Sequence, residues 1–216
     1  HPREMRILVT AGPTREFIDP VRFLSNPSTG RMGFAVARAA RLAGHEVTLV
    51  AGPVSLRTPK GVRRIDVVSA RDMMRAVEAQ EFDCLVATAA VADWRPARCA
   101  AKKLKKREMS GSLRLVRNPD VLKTIAGRVR RSGIRKVLIG FAAETGDPSA
   151  EASRKCREKG LDLVVANDVT APGAGFGVGT NRVTFVRPDG TLERLPLLGK
   201  DAVARRIVRF AEGALS

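Results

Sequence analysis

The sequence contains no tyrosine and only two histidines, His1 and His45. A Ser-His-Asp triad or a histidine-built metal centre therefore has almost no material. Cys84, Cys99 and Cys156 are odd in number and widely separated. That argues against a disulfide framework and against cysteine metal knuckles, and a reducing, cytoplasmic setting is expected. No apolar run is long enough to span a bilayer, and His1 to Arg6 lack the apolar stretch of a signal peptide, so no membrane partner is expected. Aromatic residues make up 4% of the chain, too few to supply stacking platforms for single-stranded nucleic acid. Acids are scarce beside bases: 22 Asp and Glu against 39 Lys and Arg, a formal net charge of +17. A basic RNA-binding protein is one explanation, but with so few aromatics no nucleic-acid partner is expected. The excess is assigned to a solvated surface together with a site for a polyanionic small molecule.

What is present is ample core material, with 44% of 216 residues hydrophobic, and no linker or repeat, so residues 1–216 are read as one domain. Strand and helix patterns alternate. Arg6–Thr10, Glu46–Val50, Arg64–Val68, Cys84–Thr88, Lys136–Phe141 and Leu163–Ala166 read as strands. Between them, helices are expected from Arg31 to Leu42, from a Ser69 cap to about Gln80, from an Asn118 cap with Pro119 in the first turn to about Arg131, and from Ser149 to Lys159. Arg182–Arg187 and Thr191–Leu195 flank Pro-Asp-Gly as a hairpin, and a last helix runs from Lys200 to about Ala214. The fold class is α/β: a doubly wound, mostly parallel, Rossmann-like sheet with a small C-terminal antiparallel β appendage. Ligands of such sheets bind beyond the carboxyl ends of the strands, so the loops after Thr10, Val50, Thr88, Phe141 and Ala166 are the ones to inspect.

The first of these loops offers Gly12, and the segment entering the first helix offers Ser25, Ser28 and Gly30: glycines for close approach, hydroxyls and a helix N-terminus for an anion, hence a candidate phosphate cradle. A short-chain NAD(P)-dependent reductase is the rival that the fold suggests. The second strand, however, ends Val50-Ala51-Gly52 without the acid that holds ribose hydroxyls, there is no catalytic Tyr, and Gly12 and Gly30 are too far apart for G-x-G-x-x-G. The stretch from Ala90 to Ser112 is long for a connection and carries Lys102, Lys103, Lys105, Lys106 and Arg107, a cationic lid in position to close over polyphosphate. Lys155 and Lys159 share one helical face, which suits an anionic ligand and a solvated surface equally well.

Taken together, Thr10–Glu16, Asp19–Asn26, Ser28–Gly33, Ala89–Arg95, Lys103–Lys106, Asn118–Asp120, Gly140–Thr145 and Ala166–Val169, in that order, resemble the phosphopantothenoylcysteine synthetases over nearly the whole chain. The resemblance implies a ligase that couples 4'-phosphopantothenate to L-cysteine. CTP, favoured over ATP, first activates the substrate carboxylate as an acyl-nucleotide with loss of pyrophosphate, and Mg²⁺ assists. It implies that Lys103, Asn26 and Arg22 are catalytic, with Asn26 and Arg22 also holding substrate. Ala87, Thr88, Ala89, Asp93, Lys103, Pro119, Asp120, Val121, Leu122, Phe141, Lys155 and Lys159 should line the nucleotide site; metal ligands are not assigned. It further implies a homodimer, and a flavin-dependent decarboxylase domain ahead of this one in most bacterial forms. The chain is then either a standalone synthetase or the C-terminal piece of such a fusion. A nucleotide-sensing module of the same fold without turnover is the alternative, against which Asn26 and Lys103 count.

Overall fold

A computed structural model describes residues 4–108, 111–144, 149–168 and 179–215. In chain order its elements are β1 (Arg6–Ala11), β2 (Arg15–Phe17), β3 (Phe23–Ser25), α1 (Arg31–Leu42), β4 (Glu46–Ala51), β5 (Arg63–Asp66), α2 (Ala70–Glu78), β6 (Cys84–Ala87), β7 (Trp94–Pro96), β8 (Leu115–Arg117), α3 (Val121–Ser132), β9 (Val137–Glu144), α4 (Ser149–Lys159), β10 (Leu163–Asp168), β11 (Thr180–Asn181), β12 (Val183–Val186), β13 (Leu192–Arg194), β14 (Leu198–Gly199) and α5 (Lys200–Leu215).

The main sheet runs β13-β12-β10-β9-β6-β1-β4-β5. Pairing is parallel from β5 through to β10 and antiparallel from β10 to β13. Starting at β1, the chain winds outward through β4 and β5, then returns to lay β6, β9 and β10 on the other side, so strand order reverses between β1 and β6. Such a reversal opens a crevice at the carboxyl ends of the two strands. Residues of β1 after Arg6 are all buried, as expected for a central strand covered on both faces. One face packs α1 and α5 through Phe34, Val36, Val203 and Ile207; the other packs α2, α3 and α4 through Met73, Val77, Ile125 and Cys156.

Helix ends follow local chemistry. Ser69 and Asp72 form a reciprocal capping box on α2, and α3 and α4 are each followed by a glycine of positive φ, Gly133 and Gly160. The expected Asn118 cap is corrected: α3 begins two residues later, capped by the Asp120 side chain on the Lys123 N–H. Asn118 is used elsewhere, its amide donating to Ala92 O at 2.8 Å and accepting from Arg95. The C-terminal antiparallel segment is joined to the sheet edge, with β12 on β10 and Val183 and Phe185 in the core. A short β11–β14 ribbon precedes α5. No helix among the described residues is long and apolar enough to cross a membrane. Thr145 and Val169, which end two of the quoted motifs, lie outside the described residues.

Candidate active site

The residues after β1 and after β6 run side by side beyond the sheet. Thr10 O accepts from the Thr88 N–H at 3.1 Å and from the Thr88 hydroxyl at 2.7 Å, and Thr10 Oγ1 accepts from the Ala89 N–H at 3.3 Å. Further out, Gly12 O accepts from the Ala90 N–H at 2.9 Å and Thr14 Oγ1 from the Ala92 N–H at 3.0 Å. Buried Thr10 and Thr14 thus tie the two loops into one floor. The sequence marks them only as hydroxyl residues flanking Gly-Pro, and their role was not expected.

Over this floor a cavity of about 340 Å³ opens at the switch point. Its wall includes Ala87, Thr88, Ala89 and Asp93 after β6, Pro119, Asp120, Val121 and Leu122 at the start of α3, Phe141 of β9, and Lys155 and Lys159 of α4. Residues expected around a nucleotide from four separate segments therefore share one wall; Lys103 is the one that does not. Among the lining residues Arg31, Lys155, Lys159 and Lys200 are cations and Asp93 and Asp120 are acids, an excess that suits an anion. Two of the ammonium groups already have acidic neighbours: Lys159 Nζ lies 2.7 Å from Asp120 and Lys155 Nζ 3.9 Å from Glu151. Partial burial raises the pKa of Asp120, but the Lys159 hydrogen bond and the Lys123 N–H outweigh it and hold the group below its usual value.

The cradle residues divide. Ser28 and Gly30 line the cavity; Gly12 and Ser25 do not. Ser25 is corrected because its hydroxyl donates to Thr14 O at 2.7 Å, closing the β2–β3 hairpin rather than facing a ligand. Gly12 lies directly behind Gly30: a Cβ on Gly30 would stand 3.4 Å from the Gly12 Cα, so Gly12 serves close packing. Gly30 is the N-cap of α1 and adopts φ 76°; having no side chain it supplies no capping oxygen, and the first turn of the helix lines the cavity. Gly33 lets that terminus sit down on the sheet, because a Cβ there would come within 2.5 Å of both Ala11 Cβ and Thr88 Oγ1.

Asn26, Arg22 and Lys103 lie outside the wall but are connected to it. Asn26 donates to Ala90 O, a wall residue, at 3.1 Å. Asp19, fully buried, accepts from the Val21 and Arg22 N–H groups and from the Arg22 guanidinium. The same carboxylate accepts from the Leu104 N–H at 3.2 Å, while the Arg22 guanidinium donates to Leu104 O at 3.0 Å. Arg22 holds the Asp19 pKa far below the usual carboxylate range. The Asp19–Arg22 turn is thus a clamp on the residue that follows Lys103. Lys103 itself is exposed. The stretch from Ala90 to Ser112 was expected to be a loop, but β7 inside it pairs with β8 just beyond it, and Ala100 N–H donates to Ile18 O at 2.9 Å.

Cys84 and Cys156 are buried in the core, away from this wall, and Cys99 is exposed. Among the described residues no group of three or more His, Cys, Asp or Glu side chains is placed to hold a metal ion.

Fold and cavity define a doubly wound α/β domain with an anion-suited site at its switch point. The chain belongs to the family described as DNA/pantothenate metabolism flavoprotein C-terminal domain, whose model matches residues 3–213. It is 46% identical over 211 residues to the coenzyme A biosynthesis bifunctional protein CoaBC of Vibrio vulnificus, covering 96% of this chain and 52% of that protein. The chain spans about half the length of the curated relatives it matches. The crystal structure of the C-terminal domain of a CoaBC protein matches with TM-score 0.80 and 43% identity over 97% of this chain and 95% of that one. A Cab2 mutant in complex with phosphopantothenate-cysteine matches in fold alone, with TM-score 0.76 at 14% identity, covering 97% of this chain and 87% of its own.

Proposed function

We propose that the chain is the phosphopantothenate–cysteine ligase unit of coenzyme A biosynthesis, using a nucleoside triphosphate, CTP in preference to ATP, through an acyl-nucleotide. The observation that carries this reading is the cavity wall, in which Ala87–Ala89, Asp93, Pro119–Leu122, Phe141, Lys155 and Lys159 come together from separate segments. The relatives named CoaBC and the phosphopantothenate-cysteine held by the Cab2 mutant support it. In the first step the substrate carboxylate attacks the α-phosphorus and pyrophosphate leaves. In the second the cysteine amine attacks the acyl carbon and the nucleoside monophosphate leaves.

Neither step needs a protein nucleophile. Charge neutralisation and positioning carry the rate, which agrees with a cavity rich in Lys and Arg. Lys155 and Lys159 face the triphosphate, the uncapped N-terminus of α1 offers N–H groups to it, and Lys103 arrives on the lid that Asp19 and Arg22 hold by Leu104. Asn26, which donates to Ala90 O, meets the acyl group in this reading. Among the described residues the donor set does not build a protein cage for a cation. Mg²⁺ needs only one or two carboxylates beside phosphate and water, and Asp93 meets that smaller demand. Bound with the triphosphate, Mg²⁺ supplies neutralisation of phosphate charge. A homodimer and a preceding decarboxylase domain are part of the same proposal.

The test is pyrophosphate release from CTP and from ATP, in parallel, with 4'-phosphopantothenate and cysteine. Release with CTP above ATP is expected, and no release with any triphosphate would sink the ligase. Lys103→Gln should block acyl-nucleotide formation and Asn26→Asp should impair its consumption; wild-type turnover in both would remove these roles.

A further inference from the structure

At one end of the cavity three side chains have no part in the steps above. There Asn167, near the carboxyl end of β10, Lys200, the first residue of α5, and Arg31, the first residue of α1, line the wall. Asn167 is 8% exposed, and its Oδ1 is buried with no hydrogen-bond partner among the described residues. Native structures rarely leave a buried acceptor unsatisfied, so this one, in a residue of the cavity wall, asks for a donor from a ligand. Lys200 is 9% exposed, and its ammonium donates to Thr180 O at 3.1 Å. Burial pushes the Lys200 pKa down, and the charge that adds to the shift is the second cation, Arg31. An anion between Lys200 and Arg31 would relieve both effects.

The complement of this end is a group that brings an anionic oxygen and an N–H donor on neighbouring atoms. A phosphate dianion would satisfy the cations and leave Asn167 Oδ1 without a donor. A ribose hydroxyl would donate to Asn167 and bring no charge to Lys200 and Arg31. An α-amino acid does both. Lys200 and Arg31 belong to α5 and α1, on the face of the sheet opposite α4 and its Lys155 and Lys159, and of α1 the triphosphate takes only the backbone N–H groups.

We propose that Asn167, Lys200 and Arg31 form the subsite for cysteine in the second step, a reading that rests on the ligase function above. The cysteine carboxylate sits against Lys200 and Arg31, and the nitrogen donates to Asn167 Oδ1. The ammonium sheds one proton to water, which exposes the lone pair. The nitrogen then attacks the acyl carbon, the bond from that carbon to the nucleotide oxygen breaks, the nucleoside monophosphate leaves with the electron pair, and the second proton goes to water. Asn167 and Lys200 are specificity residues that touch the incoming amino acid.

The experiment compares cysteine with cysteamine, which keeps the amine and thiol and lacks the carboxylate, in the presence of CTP and 4'-phosphopantothenate. Wild type should prefer cysteine by at least about 100-fold in kcat/KM, because a site whose polar groups are left unpaired rejects the substrate that lacks their partner. Lys200→Gln should raise the KM for cysteine about tenfold and leave cysteamine unchanged, whereas Asn167→Leu should weaken both. In both variants the KM for CTP should stay at its wild-type value, a split that simple damage to the fold would not give. Equal use of cysteine and cysteamine by wild type overturns the subsite without any variant. So does an equal loss of both in Lys200→Gln, or a KM for CTP that rises together with that for cysteine. If wild type releases no pyrophosphate from CTP or ATP, the ligase reading fails first. If it releases pyrophosphate and the variants keep the wild-type KM for cysteine, only the subsite fails.

Discussion

Gly33→Ala is a substitution in which two effects oppose and the structure decides between them. Gly33 lies inside α1, where alanine is the better helix former by about 1 kcal/mol, so local propensity alone predicts a gain. The added Cβ, however, would stand 2.5 Å from Ala11 Cβ and 2.5 Å from Thr88 Oγ1, with Ala11 Cα at 3.2 Å. Comfortable carbon contacts lie at about 3.5–4.0 Å, so the helix must lift by roughly 1 Å or its neighbours must give way. Ala11 is a buried residue of β1 and cannot retreat. Thr88 can rotate only by giving up its 2.7 Å hydrogen bond to Thr10 O, a loss of about 1 kcal/mol. Overpacking of this kind costs about 1–3 kcal/mol. With the lost hydrogen bond set against the propensity gain, the variant should be destabilised by about 1–3 kcal/mol. At roughly 2–4 °C per kcal/mol for a chain of this size, Tm falls by about 2–12 °C.

Thermal or urea unfolding reads that change, and Gly127→Ala is the control. Its Cβ would meet only the mobile end of Arg131, at 3.4 Å, so there propensity wins and stability should rise by about 0.5–1 kcal/mol. Because Gly33 seats the end of α1 that carries Ser28 and Gly30, Gly33→Ala should also raise the KM for the triphosphate, since a shift of about 1 Å at such a site costs up to about 100-fold. A Tm for Gly33→Ala equal to or above wild type, or a loss in Gly127→Ala as large as in Gly33→Ala, would refute the packing argument.

Two further outcomes follow from named contacts. Asp19→Asn removes the charge that binds Arg22 and weakens the clamp on Leu104, so trypsin should cut at Lys102, Lys103 and Lys105 several-fold faster and pyrophosphate release should slow; unchanged cleavage would show that the lid is held by other contacts. Burial raises the Asp72 pKa, but the Ser69 N–H, the Ser69 hydroxyl and Arg75 outweigh it, so the folded value lies below the unfolded one. The stability from Asp72 is then present above about pH 4 and lost as pH falls through the folded value. With Asp72 partly exposed, Asp72→Asn should cost about 0.5 kcal/mol at pH 7 and less near pH 3 by urea unfolding, and a difference independent of pH would contradict this.

What could be read from the sequence and what could not divide along one physical line. α1 and α4 appear at the expected bounds because their signals are local: apolar spacing with a glycine of positive φ just beyond. The ends of β1, β4 and β6 fall within one residue of expectation, whereas β9 and β10 run on past Phe141 and Ala166 to Glu144 and Asp168. The switch-point rule pointed to the loops after Thr10 and Thr88, which meet at the cavity, while the individual nucleotide-site residues came from the family resemblance. The hairpins β2–β3 and β7–β8 were not legible. Their strands are three residues long, too short for alternation to register, and they are held by tertiary contacts such as Glu16 accepting from the Ala70 N–H at 2.8 Å. Asn118 and Asp120 are equally good caps on paper; the choice fell to Asp120 because Ala92 O and Arg95, distant in sequence, occupy the Asn118 amide. Lys200 shows the limit most clearly. Nothing in the strand-end rule concerns a helix that follows an antiparallel edge. The cavity receives Lys200 only because Val203, Ala204 and Ile207 pack α5 into the same core as α1, which sets the first turn of α5 beside Arg31. A residue delivered by packing rather than by connectivity leaves no local signature, so the proposed cysteine end of the cavity had to come from the structure.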